Sequence, residues 1–210
     1  MALESEATLI TGCSTGIGRA TAIRLAEAGR TVYATARNIS AIADLADYGC
    51  ELLALDVTDE ESMVAAVDAV VDRHGAVGAL VNNAGYSQSG AIEDLPMESI
   101  RRQFETNVFG LIRMSQLVLP GMREQRAGRI VNIGSMGGKL SFPGGGIYHA
   151  TKYAVEAISD VLRFEVSNFG VKVVLVEPGL IKTNFADAAL SHMDTPSQTD
   201  GAYDDFNAAV

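Results

Sequence analysis

Six short runs rich in β-branched residues, each but the last followed by a longer segment with helical periodicity or its equivalent, restrict how this chain can fold more than any other feature. The runs fall at 7–11, 31–36, 51–55, 79–82, 129–134 and 171–177, and the helical segments at 16–28, 39–48, 59–74, 98–126 and 146–169. Parallel strands need a crossover of a dozen or more residues, which a helix supplies. Continuous apolar runs such as Val171–Val176 suit strands covered on both faces. Thr58 and Glu61 have the spacing of a capping box opening the third helix. The expectation is an α/β fold, a doubly wound and mostly parallel six-stranded sheet with helices on both faces.

The junction of the first strand and first helix reads Thr11-Gly12-Cys13-Ser14-Thr15-Gly16-Ile17-Gly18. Glycines let the backbone turn tightly and approach a pyrophosphate, and the helix N-terminus offers it free N–H groups and a partial positive charge. That placement makes the fold Rossmann-like and the ligand a dinucleotide. A nucleoside triphosphatase loop would end in Gly-Lys-Ser/Thr, which is absent. NAD-binding sheets usually place a carboxylate at the end of the second strand, but here the run ends in Arg37. A guanidinium matches a 2′-phosphate, so NADP(H) is the preferred cofactor and NAD(H) the alternative. Asp56 follows the third strand at the same sheet edge.

Tyr148 and Lys152 lie four residues apart and share one helix face. An adjacent ammonium is expected to lower the phenol pKa and make Tyr148 a usable acid–base group. Ser135, just past the fifth strand, reaches the same edge and would hydrogen-bond a substrate oxygen. Met136 and Phe142 border the substrate beside it, and an apolar lining suggests a lipophilic carbonyl or secondary alcohol. His149 points about 100° around the helix from Tyr148 and reads as a packing or surface residue rather than a second base.

Charge and composition narrow the partners. A net charge of -10 argues against nucleic acid and anionic membrane surfaces. Two cysteines without metal-ligand spacing suggest a reducing compartment and no metal site. The acidic N-terminus reads as no signal peptide, and no apolar run is long enough to span a bilayer, so the expected location is cytoplasmic.

Taken together, these motifs resemble the short-chain dehydrogenase/reductase family from residue 8 to residue 183. The glycine segment is similar to its T-G-x-x-x-G-I-G, Asp56-Val57 to its adenine-contacting aspartate, Asn82-Asn83-Ala84-Gly85 to its N-N-A-G, and Tyr148 with Lys152 to its Y-x-x-x-K. Thr-Gly-Cys-Ser and Ala-Thr-Ala-Arg are similar to the hydroxysteroid and retinol dehydrogenase branch. The resemblance implies an oxidoreductase acting on CH–OH groups, with Tyr148 as acid/base. Lys152 would hold the nicotinamide ribose, Ser135 orient the carbonyl, and Asn107 hold a water that links Lys152 to solvent. It also implies cofactor contacts from Asn83, Ala84, Gly85, Pro178, Gly179, Ile181 and Thr183, and a homodimer or homotetramer.

The chain departs from the family after Thr183, where a seventh strand is expected and none is visible. Residues 1–185 read as the nucleotide-binding domain with the catalytic residues, and 186–210 as a substrate loop cut short and poorly ordered. That departure leaves a second reading open, a weakly active or inactive NAD(P)-binding sensor.

Overall fold

The computed structural model describes residues 5–181 and 199–209. The six runs form six strands, β1 (Thr8–Ile10), β2 (Val32–Ala36), β3 (Glu51–Ala54), β4 (Ala79–Asn82), β5 (Gly128–Ile133) and β6 (Val171–Val176). All are parallel, in the order β3-β2-β1-β4-β5-β6. Between them run α1 (Gly16–Glu27), α2 (Glu60–His74), α3 (Met97–Phe104), α4 (Gly110–Glu124) and α5 (Gly146–Val166), with α6 (Asp204–Ala209) near the C-terminus. The strand order reverses between β1 and β4, and open sheets bind ligands at the carboxyl ends of the strands there.

Successive strand residues point to opposite faces, and the core divides accordingly. Leu9 and Leu80 pack on one side with Met63, Val67 and Val70 of α2 and Met114, Val118 and Met122 of α4. Ile10 and Val81 pack on the other with Ala22 of α1 and with Ile42 and Leu45. Full burial of such a side chain contributes about 1.5–3 kcal/mol. These two layers hold β1 and β4 rigidly and fix the sheet edge from which the site is built.

Five local expectations need correction. Segment 39–48 is a run of 3-10 turns closed by Gly49. α2 is capped by Asp59, whose Oδ1 accepts from Ser62 N–H at 3.0 Å, not by Thr58. The single helix expected over 98–126 is broken by a π-helical turn, Glu105–Phe109. Among the described residues, β6 is covered on one face only: Val171 and Val173 are buried, while Val174 and Val176 are 40% and 41% exposed. Finally, the tail, read as loop alone, holds the short helix α6. Thr199 Oγ1 donates to Asp94 Oδ1 (2.8 Å), Asn207 Nδ2 to Asp94 Oδ2 (3.1 Å) and Tyr203 Oη to Glu93 Oε2 (2.6 Å), which docks α6 on the turn Ile92–Asp94. Residues 186–198, Val210 and Thr183 lie outside the described residues. Among the described residues no helix is long and apolar enough to cross a membrane.

Candidate active site

The glycine turn is held open by the segment that follows β4. Thr11 Oγ1 accepts from the N–H groups of Asn83 (3.0 Å) and Ala84 (2.9 Å). The Asn83 side chain returns two bonds, its Nδ2 donating to Thr11 O and Gly12 O, each at 2.9 Å. Gly12 has φ +72, and a Cβ there would lie 2.9 Å from Ala84 Cα; one on Gly18 would lie 2.3 Å from Asn83 Nδ2. Side chains are therefore excluded at both positions. α1 opens with no side-chain cap on its N–H groups and no acid in its first turn. Uncapped donors at the mouth of a glycine cradle fit a pyrophosphate. Ser14 and Thr15 are exposed there, and Gly16 and Ile17 begin the helix.

Along the same edge Arg37 is exposed at the end of β2. Asp56, past β3, accepts through Oδ1 from Thr58 N–H (2.9 Å) and Thr58 Oγ1 (2.8 Å), which fixes its carboxylate. Val57 is buried against Gly110, where α4 comes close enough that a Cβ would meet Val57 O at 2.6 Å. Pro178 O accepts from Met136 N–H at 2.9 Å, joining the segment after β6 to the loop after β5. Gly179 and Ile181 follow, both exposed.

The catalytic candidates converge from three elements. Ser135, two residues past β5, caps a short turn, its Oγ accepting from Gly137 N–H at 3.0 Å. The Ser135 hydroxyl also hydrogen-bonds the Tyr148 phenol in the first turn of α5. Lys152, one turn on, is 8% exposed; its Nζ donates to Ile133 O at 2.9 Å and lies 5.8 Å from the Tyr148 ring centre. Burial in a low-dielectric site disfavours the ammonium and brings Lys152 down to about 8. The phenol does not follow the sequence-based expectation. Burial pushes Tyr148 above its ordinary value, and the Ser135 hydrogen bond offsets only part of that. The ammonium sits beneath the ring on Ile133 O, where its charge does not reverse the burial effect.

Asn107 stands in the π-helical turn, 3% exposed. Its Oδ1 accepts from Tyr86 N–H (3.1 Å), and its Nδ2 donates to Tyr86 O (2.9 Å) and Thr151 Oγ1 (3.1 Å). The side chain thus ties the loop after β4 to α5, and Gln103 adds a bond to Tyr86 O at 3.1 Å.

Other groups at this site are more than the sequence reading makes of them. His149 is 6% exposed and bonded through both ring nitrogens to the loop after β5. Glu156, on the face shared by Tyr148 and Lys152, lies 2.5 Å from Lys139 Nζ. An acid eight residues after a tyrosine and four after a lysine on a helix is the pattern that flags Glu156. Phe142, by contrast, is 50% exposed at the loop tip.

The sequence profile of the short chain dehydrogenases matches residues 6–194. The 3-ketodihydrosphingosine reductase of Bacteroides thetaiotaomicron is 40% identical over 189 residues, covering 88% of this chain and 67% of the relative. A short-chain dehydrogenase from Streptomyces avermitilis superposes with a TM-score of 0.82 at 46% identity, over 86% of this chain and 68% of that one. The 3-ketoacyl-(acyl-carrier-protein) reductase of Brucella melitensis, solved with NADH, superposes with a TM-score of 0.84 at 28% identity, over 91% of this chain and 82% of that one. The chain spans about two thirds of the first two relatives. With a matching profile over most of its length, the sheet order and the Ser135, Tyr148 and Lys152 cluster, this chain belongs to the short-chain dehydrogenase family of oxidoreductases.

Proposed function

We propose that this chain is an NADP(H)-preferring oxidoreductase that interconverts a lipophilic ketone or aldehyde and its alcohol. The observation that carries the reading is the convergence of Ser135, Tyr148 and a buried Lys152 beside an uncapped glycine cradle. A bound nicotinamide cofactor would supply or accept the hydride. The cradle Gly12–Gly18, Arg37, Asp56, Val57, the Asn83–Gly85 segment, Lys152 and the stretch Pro178 to Thr183 would hold that cofactor. Ser135 would donate to the substrate oxygen, with Met136 and Phe142 beside it, and Tyr148 would transfer the proton. A phenol held above its ordinary pKa is protonated at neutral pH, the form that reduction needs. Oxidation needs the phenolate and is favoured by higher pH. The side-chain amide of Asn107 is committed to Tyr86 and Thr151, so a water relay to Lys152 falls to the backbone of the π-helical turn.

Exposed apolar side chains support self-association into a homodimer or homotetramer. Phe109 precedes α4, while Tyr153, Val161 and Phe164 lie on α5, with Phe164 79% exposed. The free cysteines Cys13 and Cys50 are compatible with a cytoplasmic setting.

Titration with NADPH and NADH tests the cofactor, and Arg37→Asp is expected to reverse the preference, because a carboxylate repels a 2′-phosphate and bonds a 2′-hydroxyl. A panel of lipophilic ketones tests turnover. Equal affinity for both nucleotides, unaltered in Arg37→Asp, would remove the basis for NADP(H). Binding with no turnover on any ketone would make the chain a sensor.

A further inference from the structure

We infer that His149 is a positioning residue that shapes the substrate side of the site by clamping the loop between Ser135 and Gly145 onto α5, in the neutral tautomer protonated at Nδ1. Nδ1 faces Gly137 O at 3.0 Å, and a carbonyl only accepts, so the proton is on Nδ1. Phe142 N–H donates to Nε2 at 3.0 Å, so that nitrogen carries the lone pair. Both bonds are made at once only by this tautomer.

The loop is built around the ring. A Cβ on Gly137 would lie 2.8 Å from Nδ1, and one on Gly145 2.7 Å from Nε2. The Phe142 ring meets the imidazole edge-on, with centroids 5.5 Å apart. Gly137 then hands the constraint to the reacting groups, because its N–H donates to Ser135 Oγ, which is in turn bonded to Tyr148. His149 is next to Tyr148 in sequence, so a single helical turn carries both the proton donor and the clamp on its partner. Between Gly137 and Phe142 in the same loop, the pair of Lys139 with Glu156 of α5 holds it a second time.

The catalytic consequence rests on the proposed oxidoreductase reading, but the clamp does not. The first test is a long-range imidazole 1H–15N spectrum of the full 210-residue chain. A His149 signal from the Nδ1–H tautomer is expected; the Nε2–H tautomer or a fast average would overturn the inference. Hydrogen exchange is then compared in His149→Phe, which keeps a ring and loses both bonds, and His149→Gln, which restores an acceptor. The Phe142 amide should exchange about tenfold faster in the first and regain most of its protection in the second. Exchange at residues 12–18 should not change.

On a ketone that the unmodified chain reduces, His149→Phe should lower kcat about tenfold, with NADPH affinity unaltered and the loss partly recovered in His149→Gln. Equal loss of cofactor binding, or unchanged kcat with a released loop, would refute a positioning role. If the unmodified chain reduces no ketone, the oxidoreductase reading fails, and the spectrum and exchange still decide the clamp.

Discussion

Replacing Gly18 by alanine tests the construction of the cofactor cradle with one methyl group. Its carbon would sit 2.3 Å from Asn83 Nδ2 and 2.6 Å from Gly12 O, so either the Asn83 amide or the turn must move. Moving the amide breaks its bonds to Thr11 O and Gly12 O, a loss of about 1–3 kcal/mol for the pair. Shifting backbone instead is overpacking, with a cost of roughly 1–3 kcal/mol. Against either stands the higher helix propensity of alanine within α1, about 1 kcal/mol. The net expectation is a loss of up to about 2 kcal/mol in stability, together with NADPH binding weakened about tenfold or more because the pyrophosphate donors shift with the turn.

Urea unfolding and fluorescence titration measure the two effects. Asn83→Ala removes the same two bonds, so Gly18→Ala and Asn83→Ala should combine sub-additively. Wild-type NADPH affinity in Gly18→Ala, or full additivity of the pair, would refute this account of the cradle.

Further outcomes follow from other parts of the site. Lys152 is held near 8 against an ordinary 10.5, so the unfolded chain binds more protons between those values and this residue makes stability rise with pH across them. Lys152→Met should abolish turnover and remove up to about 3 kcal/mol of that rise from denaturation curves taken from pH 7.5 to 10.5; parallel curves for the two proteins would contradict it. Lys139→Met leaves the Glu156 carboxylate, 7% exposed, without its cation. Since Lys139 is itself half exposed, a modestly lower urea midpoint is expected, and no change would show the pair to be incidental. Asn207→Ala removes the bonds to Asp94 Oδ2 and Ala91 N–H, both 3.1 Å. Amides of 199–209 should then exchange about tenfold faster or more, with global stability nearly unaltered.

Most of the scaffold could be read from residue pattern because it rests on local rules. All six strands and the placement of the glycine turn follow from β-branched runs and helix periodicity, and Tyr148, Lys152 and Ser135 meet because the topology brings β5 and α5 to one sheet edge. What escaped depends on contacts distant in sequence. The periodicity over 98–126 is unbroken, yet Asn107 opens a π-helical turn where its side chain locks to the Tyr86 backbone, 21 residues away. The apolar run of β6 suggests cover on both faces, but Val174 and Val176 have it on one side only among the described residues. α6 carries no apolar stripe; polar bonds to Glu93, Asp94 and Ala91 hold it. His149 was legible only as helical geometry, which gives its direction around α5 and not the loop that folds over it. The direction of the Tyr148 shift runs against the helix spacing, because spacing reports a neighbouring charge but not how much water burial removes.

The most direct test of the central claim is single-turnover oxidation of NADPH by a lipophilic ketone, comparing the unmodified chain with Tyr148→Phe. The account predicts a rate lower by about 10²–10⁴-fold in the variant, with NADPH affinity unchanged, because only the proton donor is lost. Turnover by Tyr148→Phe at a rate close to that of the unmodified chain would contradict it.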